Sequence, residues 1–318
     1  LGLGAIIGTG IFVMTGIAAV SLSGPAVVIS YGIAGVTTIF VALCYTEVAT
    51  MIPTSGGAYS YSFVAFGEIV AWLVSWMMIL YFLLSASTVA AGWSGYMVSM
   101  LKSGGVNLPD ILTKTPTEGG IVNIPASLIS LAITAVLVRG TSESAKLNAA
   151  LVAIKILAIA IFVFVSAPNF NILNWFEHNF PVTPDLYMSN TFMPFGISGV
   201  ISGSAFVFFA YNGFDSIASA AEESKNPKRD LTIAILGSLA VCMALYMLVA
   251  ALLVGGMPFN LIDVKSSISS ALSYHNHKVA ASFISAGVVI GMVSVVLVQI
   301  FALSRIVLVT ARDGLLPP

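Results

Sequence analysis

Residues 2–12 read Gly2-Leu3-Gly4-Ala5-Ile6-Ile7-Gly8-Thr9-Gly10-Ile11-Phe12, an apolar stretch whose first nine positions include four glycines. Glycine costs a helix about 1 kcal/mol relative to alanine, so this density inside an apolar segment needs a cause. One interpretation is close helix packing through small residues, as in the Gly4 to Gly8 spacing. The other is a helix that breaks here and turns free backbone N–H groups towards a cavity that binds an anionic group. The stretch alone leaves both interpretations open.

The chain as a whole has the composition of a membrane protein. Of its 318 residues, 58% are hydrophobic and 8% are Asp, Glu, Lys or Arg. Soluble domains carry about 25% charged residues, so this chain lacks the polar groups for a water-facing surface. We therefore expect a lipid bilayer as its surroundings. A net charge of -1 without a basic run gives no indication of nucleic acid as a partner.

Apolar runs long enough to cross about 30 Å of hydrocarbon divide the chain into eight predicted spans. The predicted fold class is an all-α polytopic membrane protein. The third span is longer than one crossing needs, so we expect it to tilt or to project from the membrane. The approximate limits of the spans are 1–22, 25–52, 67–101, 121–139, 147–167, 192–220, 231–257 and 279–306.

The basic residues predict the orientation, because Lys and Arg are retained on the cytoplasmic side of a membrane. A first span that runs outward puts seven of them inside and four outside. The inside group is Arg139, Lys146, Lys225, Lys228, Arg229, Arg305 and Arg312. The outside group is Lys102, Lys114, Lys265 and Lys278.

The sixth span is the second irregular one. Residues 203–216 place Gly203, Asn212, Gly213 and Asp215 at membrane depth. An aspartate there is costly unless it is paired or faces water, so it has a functional or a structural role. The first and sixth spans occupy corresponding positions in a pair of five-helix repeats, which indicates an inverted-repeat transporter with a binding site at the midplane. The repeat rests on spacing alone, because the two halves show no residue-level similarity.

Several separated motifs resemble the amino acid-polyamine-organocation (APC) superfamily. In the first repeat they are residues 4–12, Cys44-Tyr45-Thr46-Glu47 and Pro53-Thr54-Ser55-Gly56-Gly57-Ala58-Tyr59-Ser60-Tyr61. The motifs that look most like the cationic amino acid transporter branch and its bacterial relatives are residues 208–215, 221–230 and 311–317. Agreement of several motifs in chain order is far more specific than one glycine pattern.

The resemblance implies an inverted five-helix-repeat transporter with broken helices 1 and 6. We expect residues 1–318 to form a single transporter domain, truncated to about eight spans. The first repeat would cover about residues 1–167, and the second would begin near residue 192. Spans nine and ten and the cytoplasmic start of the first helix are expected to lie outside this chain.

The resemblance also implies an amino acid substrate whose common part is bound by backbone atoms. The predicted donors to its α-carboxylate are N–H groups around Gly8, Thr9 and Gly10. A helix start agrees with this role, because it has unpaired donors and about half a positive charge. The predicted acceptors for its α-ammonium are the carbonyls of Ile6 or Ile7, and of Phe208, Phe209 and Ala210. The side chains that would contact its variable part are Tyr81, Tyr211 and Asn212.

Two of these side chains depart from the family pattern. Relatives often carry an acidic residue where this chain has Tyr81, and an aliphatic residue at the position of Asn212. Loss of the acid disfavours a cationic substrate, so we predict that neutral amino acids compete better than Arg or Lys. Asn212 has both donors and an acceptor. It either matches a polar uncharged side chain or forms an interhelical hydrogen bond.

Lys155 lies in the fifth predicted span, seven residues after Asn148 and so about 10 Å further along a helix. One alternative is an ammonium that extends to the membrane edge. The resemblance favours another role, because relatives place a lysine here, near the site where sodium-coupled members bind an ion. An ammonium can replace Na⁺ electrostatically, and a buried one can release and regain a proton. We predict that Lys155 couples transport to protons.

The predicted function is secondary active transport of amino acids across the plasma membrane by alternating access, as proton-coupled symport. A proton-independent exchanger and a non-transporting amino acid sensor remain as alternatives. A channel filter, a catalytic constellation and a phosphate-cradling loop are not found in the sequence. Loop positions favour solvated side chains over a metal site for His178, His275 and His277, and we expect no cofactor. The charged residues 222–230 and 312–313 are predicted to form a cytoplasmic gate if they make a network.

Overall fold

A computed structural model describes residues 2–52, 54, 56–116, 119–139, 141–176, 192–218, 226–264 and 266–316. Every regular element within these ranges is a helix. The α-helices are α1 (Gly2–Ile6), α2 (Thr15–Ala18), α3 (Val27–Met51), α4 (Ala58–Phe66), α5 (Glu68–Ser103), α6 (Ile124–Arg139), α7 (Thr141–Ser166), α8 (Leu173–Phe176), α9 (Gly196–Val207), α10 (Pro227–Gly256), α11 (Ser267–Tyr274) and α12 (Lys278–Arg312). Two π-helical segments, Gly10–Met14 and Ala19–Ser23, flank α2, and short 3₁₀ turns include Gly24–Ala26 and Phe208–Tyr211.

Six helical stretches of the described chain are long and apolar enough to cross a membrane, two fewer than the eight predicted spans. The first two spans appear as one stretch, Gly10–Met51, and the fourth is a shorter helix, Ile124–Val138. These fifteen residues measure about 22 Å, less than the hydrocarbon thickness of about 30 Å. The multi-pass, all-α membrane architecture is confirmed. The number of helices long enough to span is lower than predicted, because two spans form one stretch and a third is short.

The stretch Gly10–Met51 is a hairpin of two antiparallel helices. The chain reverses at Gly24, whose φ of +61° is a left-handed conformation that suits glycine, and Pro25 follows at the start of the next turn. As a result Tyr31 lies beside the beginning of the stretch, and its hydroxyl donates a hydrogen bond to the Gly10 carbonyl at 2.7 Å. The predicted boundary between the first two spans therefore coincides with a real turn.

Helix α12 is the most enclosed of the long helices. In its most apolar window 72% of the residues are buried, against 33% for the corresponding window of α5. At 36 residues α5 is about 54 Å long, so the prediction that the third span exceeds one crossing is confirmed. Because α12 packs against α5 and α7, its side chains Ser294, Gln299 and Thr310 are buried in protein rather than exposed to lipid. This placement makes α12 one wall of the candidate site.

Candidate functional site

The first span is interrupted between α1 and the π-helical segment Gly10–Met14. The last bond before the break runs from the Ile7 N–H to the Leu3 carbonyl at 3.2 Å, and the next runs from the Phe12 N–H to the Gly8 carbonyl at 3.3 Å. The first N–H groups of a helix have no intrahelical acceptor. The predicted interruption is confirmed, and residues 8 to 11 stand at the start of its outer half.

Close packing accompanies the break. A Cβ atom added at Gly10 would lie 2.6 Å from Cα of Ala210, so only glycine lets the first and sixth spans approach at this point. Close packing and a helix break therefore occur together in the glycine-rich stretch. Glycines permit the close approach, and the helix breaks where they are concentrated.

The sixth span is also interrupted, as predicted. Helix α9 ends at Val207, the 3₁₀ turn Phe208–Tyr211 follows, and Gly213 takes a φ of +108°. The Asn212 N–H donates to the Phe209 carbonyl at 3.0 Å, which closes the turn locally. The break of the sixth span thus lies against Gly10 in the break of the first.

A small cavity lies between the two breaks. The centre of a water molecule can reach a volume of about 10 Å³ in this cavity, which is room for about one water molecule. The predicted site residues in its wall are Ile6, Gly8, Thr9, Gly10, Phe209, Ala210 and Asn212. The wall is completed by Ala5, Ser85, Val89, Val295 and Gln299. Residues from the first, third, sixth and eighth predicted spans therefore meet at one point.

Lys155 of α7 is fully buried and binds the break of the first span. Its ammonium donates hydrogen bonds to the carbonyls of Gly4 at 2.8 Å and Ile7 at 2.7 Å, and to the Ser294 hydroxyl at 2.8 Å. With an exposed fraction of 0%, the side chain does not extend to the membrane edge. All three acceptors are neutral, so the charged form is held by dipoles alone, and burying a charge in this way is costly. The ammonium of Lys155 and the carbonyls on both sides of Ala5 and Ile6 therefore form one buried hydrogen-bonded cluster.

Tyr246 of α10 joins the two breaks and was not among the predicted residues. Its buried hydroxyl lies 2.7 Å from the Ile6 carbonyl oxygen and 3.1 Å from that of Ala210. Two of the carbonyls predicted for the substrate ammonium thus already have a neighbouring hydroxyl group. Each carbonyl oxygen has a second lone pair, which leaves room for one more donor.

Four predicted site residues lie outside the cavity wall. The Ile7 carbonyl accepts from Lys155, and the side chain of Phe208 is 41% exposed. The buried Tyr211 hydroxyl donates to the carbonyl of Tyr31 at 2.9 Å. The Tyr81 hydroxyl points to Oδ1 of Asp215 at 3.5 Å. Substrate contact by these four residues stays a prediction without support from the cavity.

Polar residues from four spans line the cavity: Thr9, Ser85, Asn212 and Gln299. The Asn212 amide donates to the Ser85 hydroxyl at 3.4 Å, a long interhelical bond that coexists with exposure of Asn212 to the cavity. Gln299, with an exposed fraction of 1%, has a side-chain oxygen that finds no hydrogen-bond partner in the described part of the chain. Sequence reasoning missed Ser85 and Gln299, although a glutamine within an apolar run was a usable signal.

At the predicted cytoplasmic face, the Tyr59 hydroxyl donates to Asp313 at 2.6 Å and so ties α4 to the end of α12. Burial and the Asp313 carboxylate raise the pKa of Tyr59, which therefore stays a donor. Other predicted features fall on residues 219–225, His178 and Lys265, which lie outside the described residues. Over the described ranges, no group of three His, Cys, Asp or Glu side chains could hold a metal ion.

Two interrupted spans around a small cavity, with a buried lysine on one break, are the arrangement found in membrane proteins whose binding site lies between discontinuous helices. The chain belongs to the amino acid permease family, whose model matches residues 1–318. This membership confirms the resemblance to the APC superfamily. It also agrees with the expectation of a transport protein rather than an enzyme.

Several relatives match the whole chain. The chain is 40% identical to the methylthioribose transporter of Bacillus subtilis (strain 168) and 40% identical to the branched-chain amino acid permease BcaP of the same organism. It covers 66% of the length of each. It is 37% identical to the mitochondrial cationic amino acid transporter 3 of Arabidopsis thaliana and covers 51% of that protein. The chain thus spans about half to two thirds of these relatives.

Proposed function

We propose that this chain is the substrate-binding part of a secondary active transporter that carries amino acids across the plasma membrane by alternating access, in symport with protons. In this proposal residues 1–318 form one transporter domain. The first five-span repeat covers about residues 1–167, and the second begins near residue 192. The substrate binds between the breaks of the first and sixth spans.

The observation that carries the proposal is the position of Lys155 on the first break, next to the cavity. Its ammonium binds the carbonyls of Gly4 and Ile7, which flank Ala5 and Ile6, and the latter two residues line the cavity wall. A change in the protonation of Lys155 alters the hydrogen bonds on both sides of this wall segment. Substrate binding and proton binding therefore act on the same few residues.

The backbone at the breaks supplies groups for the common part of an amino acid. N–H groups at Gly8 to Gly10 stand at a helix start, which attracts the α-carboxylate. The carbonyls of Ile6 and Ala210 accept from the α-ammonium, either beside the Tyr246 hydroxyl or in its place. Since the cavity holds about one water, binding of an amino acid requires the breaks to move apart. That movement is the local part of alternating access.

The names of the relatives include carriers of neutral and of cationic amino acids. One is named a branched-chain amino acid permease and others are named cationic amino acid transporters. Uncharged Asn212 and Ser85 in the cavity wall favour a neutral substrate for this chain. A second candidate is a hydroxyl-bearing sugar derivative, since one relative is named a methylthioribose transporter and the wall has polar side chains that fit hydroxyl groups.

The test is uptake by the full-length protein in proteoliposomes, with labelled L-alanine, L-threonine, L-leucine and L-arginine. We expect uptake of a neutral amino acid that rises with an inward proton gradient, collapses with a protonophore and is unchanged when choline replaces Na⁺. Na⁺-dependent uptake at equal pH on both sides would contradict proton coupling.

The same vesicles separate the alternatives. Counterflow of label without a response to the gradient identifies an exchanger, and binding without counterflow identifies a sensor. Competition by L-arginine at far lower concentration than by any neutral amino acid would overturn the neutral substrate. Uptake of methylthioribose without uptake of any amino acid would replace the first candidate by the second.

A further inference from the structure

Gln299 is a buried amide with unused hydrogen-bonding capacity. It lies in α12 within the apolar run Val296–Phe301, is 1% exposed, and lines the cavity between the two breaks. No group in the described part of the chain forms a hydrogen bond with its Oε1 atom. A buried polar atom without a partner is destabilising, so a glutamine at this position needs a compensating role.

The neighbours of Gln299 restrict what a partner can be. Val295, one helical turn earlier, packs against Gly8 in the first break, so Gln299 faces the same cavity one turn nearer the cytoplasm. Thr9, Ser85 and Asn212 are the other polar residues of the cavity wall, and the bond between Asn212 and Ser85 is long, at 3.4 Å. The wall therefore offers an acceptor from α12 and an amide with donors from the sixth span.

We infer that Gln299 is a specificity-determining residue that selects substrates with a hydroxyl group on the side chain. This inference rests on the proposed function and names the substrate class of that site: hydroxyl amino acids of the size of threonine or serine. A hydroxyl donates to Oε1 of Gln299 and accepts from the Asn212 amide at the same time. An aliphatic side chain leaves Oε1 unpaired, and a carboxylate, which only accepts, leaves it unpaired as well.

L-Threonine and L-valine provide the test, because they have nearly the same shape and differ by a hydroxyl in place of a methyl group. Full-length protein in proteoliposomes takes up a labelled substrate while each of the two competes. We expect wild-type protein to be half-inhibited by threonine at a concentration about tenfold lower than by valine, because a site that binds a hydroxyl rejects the analogue that lacks it.

The variant Gln299→Met keeps the volume and removes the acceptor. It should weaken competition by threonine about tenfold and leave valine nearly unchanged, so that the preference disappears. The matched control is Ser304→Ala, in the same helix and outside the cavity wall, whose hydroxyl donates to the Phe301 carbonyl. It should keep the wild-type ratio. Elution volume in size-exclusion chromatography checks that both variants fold.

The results that overturn the inference are distinct from those that overturn the proposed function. Equal half-inhibition by threonine and valine in wild-type protein overturns the role of Gln299, even if Gln299→Met does not fold. Equal weakening of both competitors in Gln299→Met also overturns it, because the amide would then act on the common part of the substrate. Wild-type protein that neither binds nor exchanges any amino acid overturns the proposed function and this inference with it.

Discussion

The breaks in the first and sixth spans differ in what satisfies their backbone groups. In the first span the carbonyls of Gly4 and Ile7 accept from the ammonium of Lys155. In the sixth span the Phe209 carbonyl accepts from the Asn212 N–H within one turn, and the Ala210 carbonyl lies beside the Tyr246 hydroxyl. The first break therefore depends on a basic side chain that can lose a proton, whereas the turn Phe208–Tyr211 of the sixth span is held by neutral groups.

This difference indicates which break switches. Deprotonation of Lys155 removes one of its three donors and leaves a lone pair, which accepts and cannot donate, so the hold on Gly4, Ile7 and Ser294 weakens. The sixth span has no comparable titratable donor among its described contacts at Phe208–Tyr211. We expect the first break to move during transport and the sixth break to act as a fixed support. The predictions below test this assignment in order of decreasing effect.

Lys155→Ala should have the largest effect on stability. It removes the donor to the Ile7 carbonyl and one of the two donors to the Gly4 carbonyl, which keeps the Ser294 hydroxyl, and a buried group left unpaired costs about 1 to 3 kcal/mol. We expect the melting temperature of the detergent-solubilised full-length protein to fall by several degrees. The control Lys114→Ala removes a lysine from an exposed pair with Asp110 and should shift it little. Equal shifts in the two variants would remove the special role of the first break.

Tyr246→Phe should have the next largest effect, because it acts on both breaks. The change removes one hydroxyl that lies near the Ile6 and Ala210 carbonyls and keeps the ring. We expect a loss of about 1 to 3 kcal/mol of unfolding free energy. The control Tyr274→Phe alters a half-exposed ring and should be neutral. An unchanged melting temperature in Tyr246→Phe would mean that the breaks are held without this hydroxyl.

Gly213→Ala tests the sixth break as a fixed support. A Cβ atom there would meet the backbone carbonyl of Ala5 at 3.0 Å, and the φ of +108° is unfavourable for alanine. We expect the unfolding free energy to fall by about 1 to 3 kcal/mol. The response of uptake to a proton gradient should change little. The control Gly237→Ala is an exposed position in the helix α10 with open space, where alanine should stabilise by up to about 1 kcal/mol. A Gly213→Ala protein more stable than the wild type would show that alanine is not strained at this position.

Ser85→Ala should have the smallest effect. The hydroxyl accepts one long bond from the Asn212 amide at 3.4 Å, which is weaker than an ordinary hydrogen bond. We expect a change in unfolding free energy of about 0.5 kcal/mol or less. A thermal shift comparable to that of Tyr246→Phe would show that this bond supports the sixth break more than its length suggests.

Much of the fold was predictable from the sequence, because a bilayer fixes the length and polarity of its spans. The density of glycine in residues 2–12 predicted the first break, and Gly213 within the sixth span belongs to the second. The number of separate long helices was not predictable, since it depends on a tight turn at Gly24 that leaves two spans in one helical stretch. Local turn geometry of this kind is not visible in hydropathy.

The candidate site was predictable in its backbone and only partly in its side chains. Lys155 was singled out because it lies in an apolar run and because the resemblance implies a functional lysine in this helix. Tyr246 was missed because a tyrosine also suits a lipid interface, and only the rotation of α10 turns its hydroxyl towards Ile6 and Ala210. Tyr211 was expected to face the substrate, but helix packing turns its hydroxyl to Tyr31. Which side of each helix faces the cavity depends on tertiary packing, which one sequence does not specify.

Proton-driven accumulation by Lys155→Ala tests the central claim most directly. Full-length wild-type protein and the variant, reconstituted at equal density, are compared for substrate accumulation with an inward proton gradient and at equal pH on both sides. The account predicts that the gradient raises accumulation in the wild type and that Lys155→Ala accumulates equally under both conditions, because alanine carries no proton between the states of the first break. A Lys155→Ala protein that still concentrates substrate with the gradient would contradict the account.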